Sequence, residues 1–131
     1  MTVSLRSLAF VASVAFALAA TAAYAGKDDY VFEPVPADIT KRSSVELGVR
    51  ILHKATRKPV EGVVLFRTRL DGSPHNMADM MAKHTAIPSS EPGLYKFRAD
   101  FQMAGNWAFR IIAKIPGETE NVEATVIFKV K

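Results

Sequence analysis

The chain has 131 residues, of which 17 are basic and 13 acidic, with a formal net charge of +4 and no cysteine. The absence of cysteine excludes thiol chemistry and disulfide bonds, so a small domain of this sequence has to be stabilised by packing alone. The mild positive charge argues against nucleic acid as a partner. A chain of this length fits one domain with its own hydrophobic core.

The N-terminus has the features of a secretory signal. A single positive charge at Arg6 precedes an uncharged apolar run from Leu8 to Ala20, and Ala23-Tyr24-Ala25 follows ahead of Gly26. This is the order of basic region, apolar region and small-residue cleavage site in signal peptides. We therefore predict a signal peptide over residues 1–25 and a periplasmic or secreted domain over residues 26–131, with an uncleaved membrane anchor as the alternative.

Six segments have the features of β-strands, and from Val45 on they alternate apolar and polar residues with the period of a half-buried strand. The first is Tyr30 to Val35. The apolar positions of the others are, in chain order, Val45, Leu47, Val49 and Ile51; Val64, Phe66 and Leu70; Tyr95, Phe97, Ala99 and Phe101; Trp107, Phe109 and Ile111; and Val122, Ala124, Val126, Phe128 and Val130. The first is short and bounded by prolines, which is typical of an edge strand. The pattern predicts an all-β fold, an immunoglobulin-like antiparallel β-sandwich.

Residues 73 to 84 break this alternation and predict a short helix in one inter-strand loop. Ser73 is a helix-capping residue, Pro74 suits the first helical position, and Pro88 follows the run. At about 100° per residue, a helix places four soft or nitrogen-bearing side chains on one face. These are Met77, Met80, Met81 and His84.

Three thioethers and an imidazole on one face suit Cu(I), a soft ion, in an oxidising compartment where a thiolate is at risk. Zinc and calcium would recruit other ligands. Met103, in the turn before Trp107, and His75, at the start of the helix, are further candidate ligands. The alternative is that the methionines fill gaps in the core, and His53 is interpreted as a surface histidine.

Basic residues cluster around the predicted first hairpin, namely Lys41, Arg42, Arg50, Lys54, Arg57, Lys58, Arg67 and Arg69. Solvated strand faces explain them, and docking to an acidic partner or anionic lipid is the alternative. The sequence contains no nucleophile elbow, no metalloprotease helix motif and no phosphate-binding glycine loop. We therefore expect a protein that is not an enzyme.

The C-terminal half contains Gly93-x-Tyr95, then Phe101-x-Met103, then Gly105-x-Trp107 with an alternating strand. On these motifs the chain resembles the FixH/YtkA-like family of extracytoplasmic β-sandwich domains. The resemblance implies copper handling, either in assembly of haem-copper oxidases or in metal tolerance, and it makes Met103 the best-matched candidate ligand.

Together these features predict a periplasmic copper-binding protein that holds Cu(I) through methionine and histidine and delivers it to a membrane or periplasmic protein partner. The competing hypothesis is a metal-free immunoglobulin-like interaction module that docks to a membrane complex through its basic hairpin.

Overall fold

A computed structural model describes residues 27–131, so the predicted signal peptide lies outside the described residues. Nine strands and two 3₁₀ turns account for the regular structure of the described part. The strands are β1 (Tyr30–Val35), β2 (Asp38–Ile39), β3 (Val45–His53), β4 (Val64–Gly72), β5 (Met77–Met81), β6 (Lys83–Ile87), β7 (Leu94–Asp100), β8 (Gly105–Lys114) and β9 (Val122–Val130), and the 3₁₀ turns are Lys27–Asp29 and Ser73–His75. Within residues 27–131, no helix has the length and apolar character needed to cross a membrane.

The strands form two sheets. One has four strands in the order β1-β3-β7-β6 and the other has five in the order β2-β9-β8-β4-β5. Every pairing is antiparallel except the short parallel pairing of β2 with β9. The predicted antiparallel sandwich is confirmed, with β1 at an edge as its prolines indicate.

The core lies between the two sheets and is built from the alternating positions that the sequence predicts in β3, β7, β8 and β9. Phe109 is at its centre, with its ring centroid 4.9 Å from that of Phe97 in an edge-to-face contact. Phe101 and Trp107 make a second such contact at 5.3 Å. Burial of each large side chain contributes about 1.5–3 kcal/mol, which explains how the domain is stable without disulfides.

The alternation predicted in β4 is wrong in its first half. Val64 and Phe66 are 55% and 50% exposed, whereas Leu70 is buried. A β-bulge between Leu65 and Arg67 changes the pairing with β8 at this point. Because a bulge adds one residue to one strand, it reverses the face on which the preceding residues lie.

The predicted first hairpin is also wrong, because β3 and β4 belong to different sheets. The connection between them crosses from one sheet to the other. The basic residues of this region are therefore divided between the two sheets, and Arg50 and Arg57 make ion pairs with Glu91 and Glu33. There is no single basic hairpin to act as a docking element.

Candidate functional site: a methionine surface at one end of the sandwich

The predicted helix over residues 73–84 is present only as the 3₁₀ turn Ser73–His75. Asn76 ends this turn in the left-handed conformation, with φ of 57°, and its N–H donates to the carbonyl of Ser73. The chain then continues as β5, which pairs Met77 with Gly72 and Met81 with Asp71. Pairing with an existing strand satisfies backbone groups that a short isolated helix would leave open, and it outweighs local helix propensity.

Because the residues are in strands, the predicted helical face does not exist, and its members separate. Met77 and Met81 are 40% and 53% exposed. Met80 is partly buried and packs against the core, as the core-filling alternative expects. His84 lies in β6, which belongs to the other sheet.

His84 links the two sheets. Its Nδ1 donates to the carbonyl of Ala82 at 3.1 Å, and its Nε2 lies 2.8 Å from the hydroxyl of Thr68 in β4. A carbonyl oxygen only accepts, so Nδ1 carries a proton, and in the neutral ring Nε2 then accepts from the hydroxyl of Thr68. The ring also makes edge contacts with Phe97 and Phe109 at 6.1 and 5.3 Å. Both nitrogens of this half-buried imidazole already have protein partners.

Met103 lies in the turn between β7 and β8, and hydrogen bonds from side chains hold its backbone in place. Its carbonyl accepts a hydrogen bond from the indole N–H of Trp107 at 3.1 Å. The neighbouring Gln102 donates from Nε2 to the carbonyl of Met81 at 2.7 Å. The side chain of Met103 is 36% exposed. The turn is thus fastened to β5 beside Met81.

His75 fastens the same two segments at a second point. Its Nε2 accepts a hydrogen bond from the backbone N–H of Asn106 at 2.7 Å. The ring lies directly over Gly105, where a Cβ atom would approach Nε2 to 2.6 Å. Gly105 also has a φ of 137°, which disfavours any other residue. His75 therefore anchors the 3₁₀ turn to the start of β8.

We define the methionine surface as the exposed side chains of Met77, Met81 and Met103. They account for half of the exposed large hydrophobic side chains in the described residues, the others being Val64, Phe66 and Ile127. The two segments that carry them are joined by the bonds of Gln102 and His75. Thioether sulfur is a soft ligand that suits Cu(I). Residues 27–131 contain no group of three or more His, Cys, Asp or Glu side chains placed to hold a metal ion, and thioethers are outside that set.

Asp71 is a residue that the sequence analysis missed. It is 1% exposed and is the only buried charged side chain of the described residues. Its carboxylate accepts from the N–H of Ser73 at 3.0 Å and from Nε of Arg69 at 2.7 Å, and Nε of Arg110 lies 3.5 Å away. Burial raises the pKa of this carboxyl, but the bonds from Ser73 and Arg69 and the charge of Arg110 outweigh burial and lower it.

Asp71 fixes the start of the 3₁₀ turn because it bonds to the backbone two residues later. The sequence did contain a signal for this contact. An aspartate followed by Gly-Ser-Pro is typical of a turn closed by its own side chain. The side chain of Arg110 also donates from Nη2 to the hydroxyl of Ser73 at 3.0 Å, which keeps its charge near Asp71.

The sequence model of the YtkA-like family matches residues 24–111. The chain belongs to the YtkA-like family. The match includes β1 to most of β8 and both segments of the methionine surface, and it ends before β9. It confirms the resemblance drawn from the glycine-aromatic motifs.

Two of those motifs have structural roles in this YtkA-like domain. The hydroxyl of Tyr95 donates to the carbonyl of Val60 at 2.7 Å and accepts from the N–H of Val63 at 3.0 Å. Gly93 has a φ of 78° and lies against Pro59, where a Cβ would approach within 2.5 Å. The motif Gly93-x-Tyr95 therefore holds the connection that crosses between the two sheets. The motif Gly105-x-Trp107 positions the turn that carries Met103.

No curated protein sequence matches the chain. Among solved structures, the adhesin InvE of Yersinia pseudotuberculosis is similar with 15% identity and a TM-score of 0.44 over 80% of this chain. The chain spans 27% of that adhesin. The ZirS C-terminal domain is similar with 10% identity and a TM-score of 0.46, covering 85% of this chain and 73% of the other. Both similarities are too remote to bear on function.

The structure also gives the positions of His53 and Arg42. His53 is exposed at the end of β3, with its ring centroid 5.4 Å from that of Tyr30. This position agrees with the interpretation of His53 as a surface histidine. Arg42 donates from Nε to the carbonyl of Lys131 at 3.4 Å, which ties the chain end to the loop before β3.

Proposed function

We propose that this YtkA-like protein is a non-enzymatic, periplasmic Cu(I)-binding protein that takes the ion on its methionine surface and passes it to another exported or membrane protein. The observation that carries the proposal is the exposure of Met77, Met81 and Met103 on two segments joined by two hydrogen bonds. Apolar side chains that gather at a protein surface mark interaction or ligand-binding sites. The copper handling implied by the family resemblance supports the same function.

The proposed ligands are the three exposed thioethers. Met80 is excluded from the set because it packs on the core, and His84 because both its nitrogens are bonded within the protein. His75 acts as a positioning residue, since its Nε2 is engaged by Asn106. Weak thioether ligation by flexible, exposed side chains suits transfer, because each bond can be exchanged in turn for a ligand of the recipient.

The test is a titration of the purified protein with Cu(I) against a competing chelator. We compare the parent with the Met77→Leu, Met81→Leu, Met103→Leu triple variant, which keeps the apolar volume and removes the sulfurs. Met80→Leu is the matched control, because it makes the same change at a partly buried position. We expect affinity to fall by more than about tenfold in the triple variant, as metal sites lose at least this much even from outer-shell changes, and to be unchanged in the control.

Copper-edge X-ray absorption distinguishes the proposed ligand set from one that includes histidine. Sulfur scattering without the multiple-scattering pattern of imidazole supports three thioethers. An imidazole pattern that disappears in a His84→Gln variant restores His84 as a ligand. Retained affinity in the triple leucine variant overturns the proposal altogether.

A second candidate function is the metal-free interaction module. The cations without an ion pair on the side of the molecule where β6 faces β4, namely Arg67, Lys83 and Arg98, favour it.

A further inference from the structure

A cleft runs along the open side of the sandwich, where the edge strand β6 of one sheet faces β4 of the other. We call it the cationic cleft. It is lined by Arg67, Thr68, Arg69, Leu70, Met81, Ala82, Lys83, His84, Thr85, Ile87, Arg98 and Asp100. The hydrogen bond between Thr68 and His84 joins its two walls. The cleft is thus a trough with a fixed base rather than a gap between independent sheets.

The charges of this lining are strongly unbalanced. Three of its cations, Arg67, Lys83 and Arg98, make no ion pair, whereas the fourth, Arg69, is paired with Asp71. The one carboxylate of the lining, Asp100, already accepts a hydrogen bond from the N–H of Ser44 at 2.7 Å. Like charges gathered in a cleft repel one another and raise the local concentration of anions. The cleft is therefore an attractive place for a negatively charged group.

The pairing of the arginines supports this interpretation. Among the arginines of the described residues, those at 42, 50, 57, 69 and 110 each have a hydrogen bond or ion pair within the protein. Arg67 and Arg98 have neither, and both line the cationic cleft. Lys83, opposite Asp100 in the β6–β7 pairing, makes no ion pair either. Both arginines without a protein partner in the described residues therefore lie on this one side of the molecule.

The shape of the cleft favours an extended ligand. It follows the five-residue strand β6, whose length at about 3.3 Å per residue is roughly 16 Å. Lys83 lies on the edge strand β6, and charges at a sheet edge discourage plain strand addition. Recognition would therefore depend on side-chain charge, with arginine forming bidentate contacts to carboxylates.

We propose that the cationic cleft binds an extended acidic segment of a protein partner, with carboxylates of that segment on Arg67 and Arg98. Exposed Val64 and Phe66, on the part of β4 that leads into the cleft, would give the segment apolar contacts beyond its charged part. The proposal does not rest on copper binding. It supplies a docking element on the side of the molecule where Met81 also lies.

The test uses metal-free protein and a fluorescently labelled peptide of about eight glutamates, longer than the roughly 16 Å of β6, followed by anisotropy. The cleft variant is Arg67→Gln, Lys83→Gln, Arg98→Gln. The matched control is Lys54→Gln, Lys58→Gln, Lys114→Gln, which removes the same charge from exposed lysines outside the cleft. We expect the cleft variant to bind about tenfold more weakly, as three exposed ion pairs predict, and the control to bind within about twofold of the parent. Circular dichroism verifies that both variants are folded.

Two further measurements make the test specific. Binding should weaken as ionic strength rises from about 0.05 to about 0.5 M, and a neutral polyglutamine peptide should not bind. Equal losses in the cleft variant and the control, or no binding by the parent, overturn the proposal. So does binding to phosphatidylcholine vesicles with about one-third phosphatidylserine in place of the peptide, which would identify a membrane surface instead. None of these outcomes alters the copper titration, so the two proposals fail separately.

Discussion

The hydroxyl of Thr68 and the Nε2 of His84 lie 2.8 Å apart and join the two sheets across the open side of the sandwich. Thr68 is in β4 and His84 is in β6, so this contact is made between strands of different sheets that do not pair with each other. It sets the distance between the walls of the cationic cleft. This contact also gives His84 a structural role, although His84 follows three methionines in the sequence.

Replacement of Thr68 by valine tests this role. The substitution keeps the shape and removes the donor, leaving a half-buried imidazole nitrogen without a partner, and we expect the free energy of unfolding to fall by about 1–2 kcal/mol. Cu(I) affinity should not change. Chemical denaturation and the chelator competition measure the two quantities. A loss of copper affinity with unchanged stability would contradict the structural assignment.

Gly105→Ala tests the contact with His75. The new Cβ would meet Nε2 at 2.6 Å in a backbone conformation that alanine resists, so we expect a loss of about 2–4 kcal/mol from strain and overpacking together. In a His75→Ala background the same change should cost less, because only the backbone strain remains. Equal costs in both backgrounds would show that His75 does not pack on this glycine.

Asp71→Asn should lower the free energy of unfolding by about 1–3 kcal/mol at neutral pH, because charge-assisted bonds are lost. The pKa of Asp71 is lowered from 3.8 in the folded protein, so its contribution is present above that value and is lost as pH falls through the folded pKa. The gap between parent and variant should therefore close below about pH 4.

Urea denaturation between about pH 7 and pH 3 measures this closure. Asp79→Asn is the control, since Asp79 is exposed on β5 and makes no ion pair. Its difference from the parent should stay small throughout. A gap for Asp71→Asn that is the same at every pH would mean that the carboxylate charge is not what stabilises the turn.

Gln102→Ala tests whether the two segments of the methionine surface act together. The change removes the bond to the carbonyl of Met81, at an exposed position, so we expect a small stability loss of about 0.5–1.5 kcal/mol. Cu(I) affinity should fall several-fold, because the thioethers of Met81 and Met103 are then less preorganised. Glu120→Ala, in an exposed turn, is the control. Unchanged affinity for Gln102→Ala would indicate that the two segments bind independently.

The sandwich was predictable because period-two alternation directly reflects which face of a strand is buried. The alternating positions of β3, β7, β8 and β9 are buried as expected, except that Tyr95 and Ala124 are half-buried. The same rule fails for Val64 and Phe66, because a bulge changes the face of the strand on which they lie without changing the composition of the strand. Nothing in the order of apolar residues marks where such an insertion occurs.

The segment from Ser73 to His84 shows the opposite case, in which local signals favoured a helix that the fold does not form. Ser73 does not cap a helix, because Gly72 holds the N-cap position without a side-chain bond and the hydroxyl of Ser73 accepts from Arg110. Pairing of β5 with β4 and of β6 with β7 satisfies the backbone of the segment instead. Because strands alternate and helices repeat every 3.6 residues, this one change separates Met80 and His84 from Met77 and Met81.

The sequence alone determined the all-β class and most of the core positions, because the burial pattern of a strand is written in its alternating residues. It also contained the residue types of the proposed copper ligands, because ligand chemistry is a property of the side chains themselves. Only the tertiary structure decided which methionines are exposed, that Met103 lies beside β5, and that Arg67 and Arg98 both line the cleft between β4 and β6. These relationships join residues far apart along the chain, and contacts between distant residues are set by how the two sheets pack together.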